Sequence, residues 1–208
     1  MMGVCGRIVV PLPPAPTDYE HDAAGLETAE FATANCFYRR EALEAVGGFD
    51  ERFTAAWRED ADLFFALLER GCRVARAPEA VVVHPVRPAT WGISIRQQRK
   101  SMFNALLYKK HPTLYRERIQ PMPPLHYYGI VGALFVVLVG MMSGRGRMVL
   151  IGGGVWLSLT GRFYARRLSG TARTPRHIIE MATTSIIIPP LSIFWRIRGA
   201  LKFRVRFY

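Results

Sequence analysis

Apolar and polar residues alternate along the first 90 residues in a pattern that predicts short strands and short helices. A strand is predicted over 7–10, a Pro-rich acidic loop over 13–30, and helices over 39–46 and within 57–71. Two extended pieces around a turn at Pro78 follow. Because strands and helices alternate, we predict an α/β fold class for this part of the chain.

The predicted sheet is small for an independent domain. Fewer than about 100 residues are available to it, and a sheet of two or three strands leaves exposed edges and a thin core. We therefore expect residues 1–90 to form only part of a domain.

Apolar and basic residues are interleaved over 91–111, and no acid occurs between Glu79 and Glu117. This pattern predicts a basic amphipathic helix with a linker over 91–120, lying at a membrane interface. An ordinary surface helix is the alternative explanation of the same pattern.

Long apolar runs dominate the remaining residues, 121–208. The uncharged run 125–142 would span about 27 Å as a helix, close to the hydrocarbon thickness of a bilayer. With the run 148–165 it predicts a two-helix membrane hairpin. The third run, 178–195, contains Glu180 and the pair Pro189-Pro190, and a cluster of basic residues follows it, so we expect an interfacial or re-entrant segment there.

The net charge of the chain changes sign at the same boundary, between residues 90 and 91. Residues 1–90 hold 9 Lys and Arg against 14 Asp and Glu, whereas residues 91–208 hold 19 against 2. The arginines lie between apolar runs, which argues against nucleic acid and favours anionic lipid head groups as the partner. We therefore predict a multi-pass protein of the inner cell membrane whose first half is cytoplasmic.

Cysteines give no sign of a disulfide framework or a zinc site. Cys5, Cys36 and Cys72 are odd in number and widely spaced, with no Cys-x-x-Cys pair.

Three carboxylates stand at the start of the second predicted helix, in WREDADLFFALLERG. Glu59, Asp60 and Asp62 are explained by helix capping and the helix dipole, because acids are favourable in a first turn. A third acid adds repulsion that capping does not require, so an active site is the other interpretation.

The segments TANCFYRREALEAVGGFDERF, WREDADLFFALLERG and APEAVVVHP, in this order, resemble the C-terminal portion of a family 2 glycosyltransferase domain. The resemblance covers roughly residues 30–88. It implies a partial GT-A (Rossmann-like) domain followed by α-helical membrane segments.

The same resemblance implies that Asp60 is the general base and that Glu59 positions the acceptor, while Asp62 remains a first-turn acid. Asp60-Ala61-Asp62 spells D-x-D, but in the family the metal-binding D-x-D lies upstream, after a nucleotide-binding half, and neither is found in this sequence. Mg or Mn would be held mainly by that absent motif, with His84 as an added ligand. A hydrogen-bonded residue at a strand end is the alternative for His84.

Further residues are candidates for binding substrate, by their positions in the resembling segments. Simple turns, a helix start and a helix C-cap explain several of them equally well. They are Asn35, Arg39, Arg40, Gly47, Gly48, Gln98 and Arg99.

Together these observations predict a membrane-attached inverting glycosyltransferase that transfers a sugar from a nucleotide-sugar donor to a lipid-linked or polysaccharide acceptor of the cell envelope. Its missing donor-binding half would come from a second chain. The alternative is a non-catalytic membrane adaptor or a remnant of such an enzyme.

Overall fold

The acidic half of the chain forms a small sheet with helices, and the basic half is helical. The computed structural model describes residues 2–30 and 32–207. Its three strands are β1 (Gly3–Val9), β2 (Cys36–Tyr38) and β3 (Val74–Val83). They lie in the order β2-β1-β3, with β2 antiparallel and β3 parallel to β1. The predicted mixed α/β class with few strands is confirmed.

Helices connect the strands and form most of the remainder of the described chain, with turns and loops between them. The α-helices are α1 (Asp18–Ala23), α2 (Arg40–Val46), α3 (Glu59–Glu69), α4 (Ile93–Gln97), α5 (Phe103–Lys110), α6 (Pro112–Arg118), α7 (Leu125–Met142), α8 (Gly146–Leu168) and α9 (Pro175–Phe203). Short 3-10 turns cover Ala24–Glu27, Thr33–Asn35 and Gln98–Met102.

The predicted loop over 13–30 is wrong in its central part. Thr17 begins α1 with a capping box: its hydroxyl accepts from the Glu20 backbone N–H, and the Glu20 carboxylate accepts from the Thr17 N–H. The sequence TDYE carries this capping signal. The acids of this stretch therefore lie on a helix.

The two extended pieces around Pro78 form one irregular strand. β1 pairs with β3 from Gly3 to Gly6, and the register then shifts before Arg7, which pairs with Val81. The predicted break thus corresponds to a β-bulge within β3.

Helix α3 carries the opening acids and is buried on its apolar side. Its buried residues include Leu63, Phe65 and Leu67, and α2 packs against the same helix. The predicted helices over 39–46 and 57–71 are confirmed.

The basic segment 91–120 differs from the single interfacial helix that its pattern predicts. It is divided into α4, a 3-10 turn, α5 and α6. Met102, Phe103, Leu106 and Leu107 are buried in the main core with Phe53 and residues of α3. The apolar side of this segment therefore contacts protein and is not available to lipid.

Two of the described helices, α7 and α9, are long and apolar enough to cross a membrane. The predicted hairpin corresponds to α7 and α8, which pack against each other. The proline pair does not break the third segment, since Pro189 and Pro190 lie inside the continuous helix α9. Helix α9 therefore extends beyond both ends of the predicted segment 178–195.

Arg167 joins the base of the hairpin to the rest of the molecule. Its guanidinium donates to the Asp18 carboxylate at 2.6 Å and to Thr184 Oγ1 at 2.6 Å. The Arg167 side chain is only 9% exposed. This buried contact connects α8 to α1 and α9.

A buried ion cluster joins α3 to the end of α5. Asp62, 2% exposed, accepts from Lys110 Nζ at 2.6 Å, and its other oxygen lies 3.2 Å from His111 Nε2. Lys110 also contacts Asp50 at 2.7 Å, and His111 Nδ1 lies 2.9 Å from a Glu69 carboxylate oxygen. Asp62 is thus a structural acid, and its charge is neutralised by residues 48 and 49 positions further along the chain.

Replacing Lys110 tests this cluster. Lys110→Met leaves the Asp62 charge buried with one partner fewer, which we expect to cost about 2 kcal/mol, below the usual 3–5 kcal/mol because Lys110 is partly exposed. The melting temperature in detergent should fall by roughly 4–8 °C. Lys202→Met is the control, because Lys202 is exposed and lies outside the cluster. Equal melting temperatures for the two variants would contradict the role of the cluster.

The His111 contacts predict a dependence of stability on pH. Burial lowers the pKa of His111, but the nearby carboxylates of Asp62 and Glu69 outweigh it, so the pKa is raised above 6.5. The stabilisation is therefore fully present below pH 6.5 and is lost as pH rises through the raised pKa. The melting-temperature difference between wild type and His111→Gln should be larger at about pH 6 than at about pH 9. His21→Gln, at an exposed position, should show no such change.

Candidate active site

A cavity of about 570 Å³ lies at the N-terminus of α3, between the acidic and the basic halves of the chain. Helix α1, the turn before α3, the 3-10 turn after α4 and the end of α6 contribute side chains to it. Its polar and aromatic lining residues are Tyr19, Asp22, Thr28, Glu30, Trp57, Arg58, Glu59, Asp60, Phe64, Phe65, Gln97, Lys100 and Arg118. We call this space the α3 cavity.

The turn into α3 is held in a strained conformation. Arg58, the N-cap residue, has φ +76°, a left-handed value that is uncommon for a residue with a side chain. Asn104 of α5 holds this turn, because its Oδ1 accepts from Arg58 Nε at 2.8 Å and from Trp57 Nε1 at 3.3 Å. Strain of this kind is concentrated at functional sites, where neighbouring structure maintains it.

Glu59 presents a buried oxygen that lacks a partner. Within residues 2–30 and 32–207, no hydrogen-bond partner is found for Glu59 Oε2. Most buried carboxylate oxygens are hydrogen-bonded, so this atom is an unused acceptor, among the described residues, on a side chain that lines the cavity.

Asp60 combines burial with a defined orientation. Its Oδ1 accepts from the Ala61 N–H at 2.7 Å. Burial raises the pKa of Asp60, and the charge of Glu59 raises it further, against the opposing effects of the Ala61 N–H and Arg58. Burial therefore outweighs the favourable effect of the helix N-terminus on this carboxylate. A carboxylate whose pKa is raised is a stronger base.

Basic residues also line the α3 cavity, and we call Arg58, Lys100 and Arg118 the basic wall. Gln97 is the last residue of α4, and Lys100 lies in the 3-10 turn that follows. Arg118 comes from the end of α6, where it forms an ion pair with Glu30. Arg58 is partly buried, and burial lowers its pKa. The cavity can thus accept a ligand that carries both hydroxyl groups and negative charge.

Several predicted substrate-binding residues lie outside the α3 cavity. Arg99 is exposed, and Gln98 donates from its side chain to the Ser94 carbonyl, so their neighbours Gln97 and Lys100 line the cavity instead. Arg39 is the N-cap of α2, and Arg40 is its first residue. These four residues are not brought together with Asp60.

Gly47 and Gly48 end α2. They have φ +80° and φ +71°, which are left-handed values that suit glycine. Gly47 is the C-cap residue, and its N–H donates to carbonyls of the last turn. The capping interpretation accounts for both glycines.

Asn35 lies at the β-bulge, away from Asp60. Its Nδ2 donates to the Arg7 and Ala80 carbonyls at 3.0 and 2.8 Å, so it joins β1 to β3. It lines a cavity of about 280 Å³ beside β1, which shares Leu26, Ala29 and Glu30 with the α3 cavity. Its side-chain amide therefore has a structural role in the sheet.

His84 does not form part of a metal site with the described residues. It follows β3, and its backbone N–H donates to the Val9 carbonyl at 2.8 Å. Across residues 2–30 and 32–207, no group of three or more His, Cys, Asp or Glu side chains is placed to hold a metal ion. The donor set present here does not fit Mg or Mn, which need several oxygen ligands.

Several residues of the site are not identified by sequence patterns, among them Gln97, Lys100 and Arg118 of the lining. Asp22 of α1 also lines the cavity. Arg58 and Asn104 shape the turn before Asp60. The TDYE capping signal could have placed Asp22 on a helix, whereas no local pattern identifies Asn104, which lies 46 positions after Arg58.

Comparison with known proteins identifies the relationship of the chain. The family model described as Glycosyl transferase family group 2 matches residues 18–189, which include the α3 cavity and most of the helical half. Neither the curated proteins nor the solved structures compared with the chain give a significant match. Members of the matched family commonly use divalent metals. As its sequence motifs predicted, the chain belongs to glycosyl transferase family group 2 and is a glycosyltransferase polypeptide.

Proposed function

We propose that this chain is a membrane-attached inverting glycosyltransferase in which the α3 cavity binds the acceptor and Asp60 is the general base. The observation that carries the proposal is that two acids and the basic wall line one cavity. Glu59 has a buried oxygen without a partner among the described residues, and Asp60 has a raised pKa. A nucleotide-sugar donor follows from the family, and a lipid-linked or polysaccharide acceptor is the substrate class proposed here.

The reaction requires one proton transfer at Asp60. The acceptor hydroxyl gives its proton to the Asp60 carboxylate while its oxygen forms a bond to the anomeric carbon of the donor sugar. The bond between that carbon and the diphosphate oxygen breaks, and the nucleoside diphosphate leaves. Glu59 Oε2, which has no partner among the described residues, would accept a second acceptor hydroxyl and orient it.

The position of the cavity supports an acceptor at the membrane. Helix α1 contributes Tyr19 and Asp22 to the cavity, and its Asp18 binds Arg167 at the base of the hairpin. An acceptor held by a lipid anchor beside the hairpin would thus reach Asp60 over a short path. The basic wall suits a diphosphate between the lipid and the sugar.

Donor binding is proposed to need residues beyond the ones described. The metal-binding carboxylates are not found among them. Val81, Val82 and Val83 are 47%, 36% and 60% exposed on β3, the edge strand of the sheet. A nucleotide-binding half that extends the sheet would cover these valines.

The role of Asp60 is tested by Asp60→Asn. Loss of the base should lower turnover by about 10²–10⁴-fold without a matching loss of stability. We would measure transfer from radiolabelled nucleotide sugars to a lipid extract, using membranes of the source organism that lack the endogenous gene and are supplemented with the chain. These membranes provide any donor-binding half.

Glu51→Gln is the control for this experiment, because Glu51 is exposed and lies outside the cavity. Equal transfer by wild type and Asp60→Asn would reject the catalytic role. It would favour the non-catalytic adaptor, for which the carboxylate is irrelevant.

The basic wall is tested by comparing two neighbouring residues. Lys100→Gln should raise the KM for the acceptor about tenfold, which corresponds to about 1.4 kcal/mol of lost binding, since it removes a cation that faces the ligand. Arg99→Gln removes an exposed cation outside the cavity and should leave the KM within about twofold. A larger effect of Arg99→Gln would show that the acceptor binds elsewhere.

A further inference from the structure

Helix α9 presents one continuous apolar face to its surroundings. Ile179, Ile186, Phe194, Ile197 and Leu201 are 59%, 45%, 51%, 51% and 74% exposed. Their separations of seven, eight, three and four residues place them on one side of the helix. We call these five residues the α9 stripe.

The opposite side of α9 is attached along its length to the basic segment. Near one end, Glu180 Oε1 accepts from the Gly92 N–H at 2.7 Å. Near the other end, Lys109 Nζ donates to the Phe203 carbonyl at 2.8 Å. Residues 180 and 203 are about 35 Å apart on a straight helix, which is more than the hydrocarbon thickness of a bilayer.

Between these two contacts, α9 and the basic segment are closely packed against each other. A Cβ atom on Gly199 would lie 2.4 Å from the Met102 carbonyl oxygen, so the two backbones are in direct contact. The Phe103 and Phe203 rings lie 6.2 Å apart between their centroids. The basic segment and α9 therefore form one unit and must occupy the same depth relative to a bilayer.

This attachment restricts the position of α9 relative to a bilayer. If α9 crossed the membrane, the segment beside it would have to cross as well. That segment carries Arg96, Arg99, Lys100, Lys109 and Lys110. Each charge is unfavourable in hydrocarbon, and Lys100 lines the cavity that holds Asp60.

We infer that α9 lies along the surface of an anionic bilayer, with the α9 stripe against the acyl chains and both of its ends on the cytoplasmic side. Exposed basic residues flank both ends of the helix, in agreement with the charge rule for cytoplasmic segments. They are Arg173, Arg176, Arg198, Lys202, Arg204 and Arg206. The inference rests on the membrane attachment in the proposed function, but not on catalysis.

This placement gives α9 a mechanical role in the site. The helix would fix the basic wall of the α3 cavity at a constant height above the lipid, because the same residues that hold α9 flank Gln97 and Lys100. An acceptor that is anchored in the bilayer would then meet the cavity at a defined depth.

Labelling of single cysteines tests which side of the membrane each end occupies. In the full chain with Cys5, Cys36 and Cys72 replaced by alanine, Arg173→Cys and Arg206→Cys would be treated with a membrane-impermeant maleimide in right-side-out and inside-out vesicles. We expect both to react only in inside-out vesicles, and Arg145→Cys at the hairpin tip only in right-side-out vesicles. Reaction of positions 173 and 206 from opposite sides would overturn the inference.

The contact of the stripe with lipid needs a second measurement. A fluorophore on Ile186→Cys or Ile197→Cys, in vesicles of phosphatidylcholine and phosphatidylglycerol, should be quenched at least twofold more than one on Lys202→Cys by lipids with a shallow nitroxide. Stronger quenching of position 186 by a deep nitroxide would indicate a spanning helix. Absence of quenching on the stripe, with crosslinking between chains, would place a second copy there and would also overturn the inference.

These outcomes are separable from failure of the proposed function. Reaction of Arg145→Cys from the cytoplasmic side would contradict the membrane hairpin, and the quenching of the α9 stripe would then decide the position of α9 by itself. Loss of transfer in the Asp60 variant depends on neither result.

Discussion

The ion pair between Asp62 and Lys110 is the contact on which the arrangement of the site depends. Both Asp62 and the apolar side of α3 are buried, so α3 can dock against α5 only if the Asp62 charge is matched there. Lys110 and His111 supply that match from the end of α5. Because Asp62 is committed to this contact, the α3 acids that line the cavity are Glu59 and Asp60.

The same docking explains the strained turn before α3. Once α5 is fixed beside α3, Asn104 lies where its single oxygen can accept hydrogen bonds from both Trp57 and Arg58. These bonds hold Arg58 in its left-handed conformation, and the chain then enters α3 with Glu59 and Asp60 directed at the cavity. The burial that raises the pKa of Asp60 is a further consequence. The setting of Asp60 therefore depends on Asn104 of α5, which lies 46 positions after Arg58.

Local sequence signals predicted the parts of the structure that have local causes. The helical spacing within WREDADLFFALLERG and the glycines after α2 define those helices correctly, and the order of three segments identified the family. Tertiary contacts determined the rest. Gln97 and Lys100 line the cavity, whereas Gln98 and Arg99 do not. This choice depends on the 3-10 turn after α4, which shifts the helical phase and has no evident local signal. The partners of Asp62 and Arg58 lie too far along the chain for any pattern to identify them.

At the proline pair, a local signal predicts a break that the tertiary structure does not contain. A proline removes a backbone donor and favours a break, so Pro189-Pro190 predicts an interruption. In α9 both prolines lie in a helix that is packed on one side over most of its length, and Pro189 is buried. Contacts at Glu180, Gly199 and Phe203 hold the helix on both sides of the pair, so packing outweighs the local preference.

Charge complementarity between the two halves is a second explanation for the uneven distribution of charge along the chain. The excess of acid in residues 1–90 and of base in residues 91–208 is consistent with anionic lipid, but the structure also shows it acting within the protein. Ion pairs across the boundary join Asp50 and Asp62 to Lys110, Glu30 to Arg118, and Asp18 to Arg167. The pair of Glu30 and Arg118 lies in the lining of the α3 cavity, to which both halves contribute side chains. The uneven composition therefore also helps to assemble the cavity, because opposite charges from the two halves meet at this boundary.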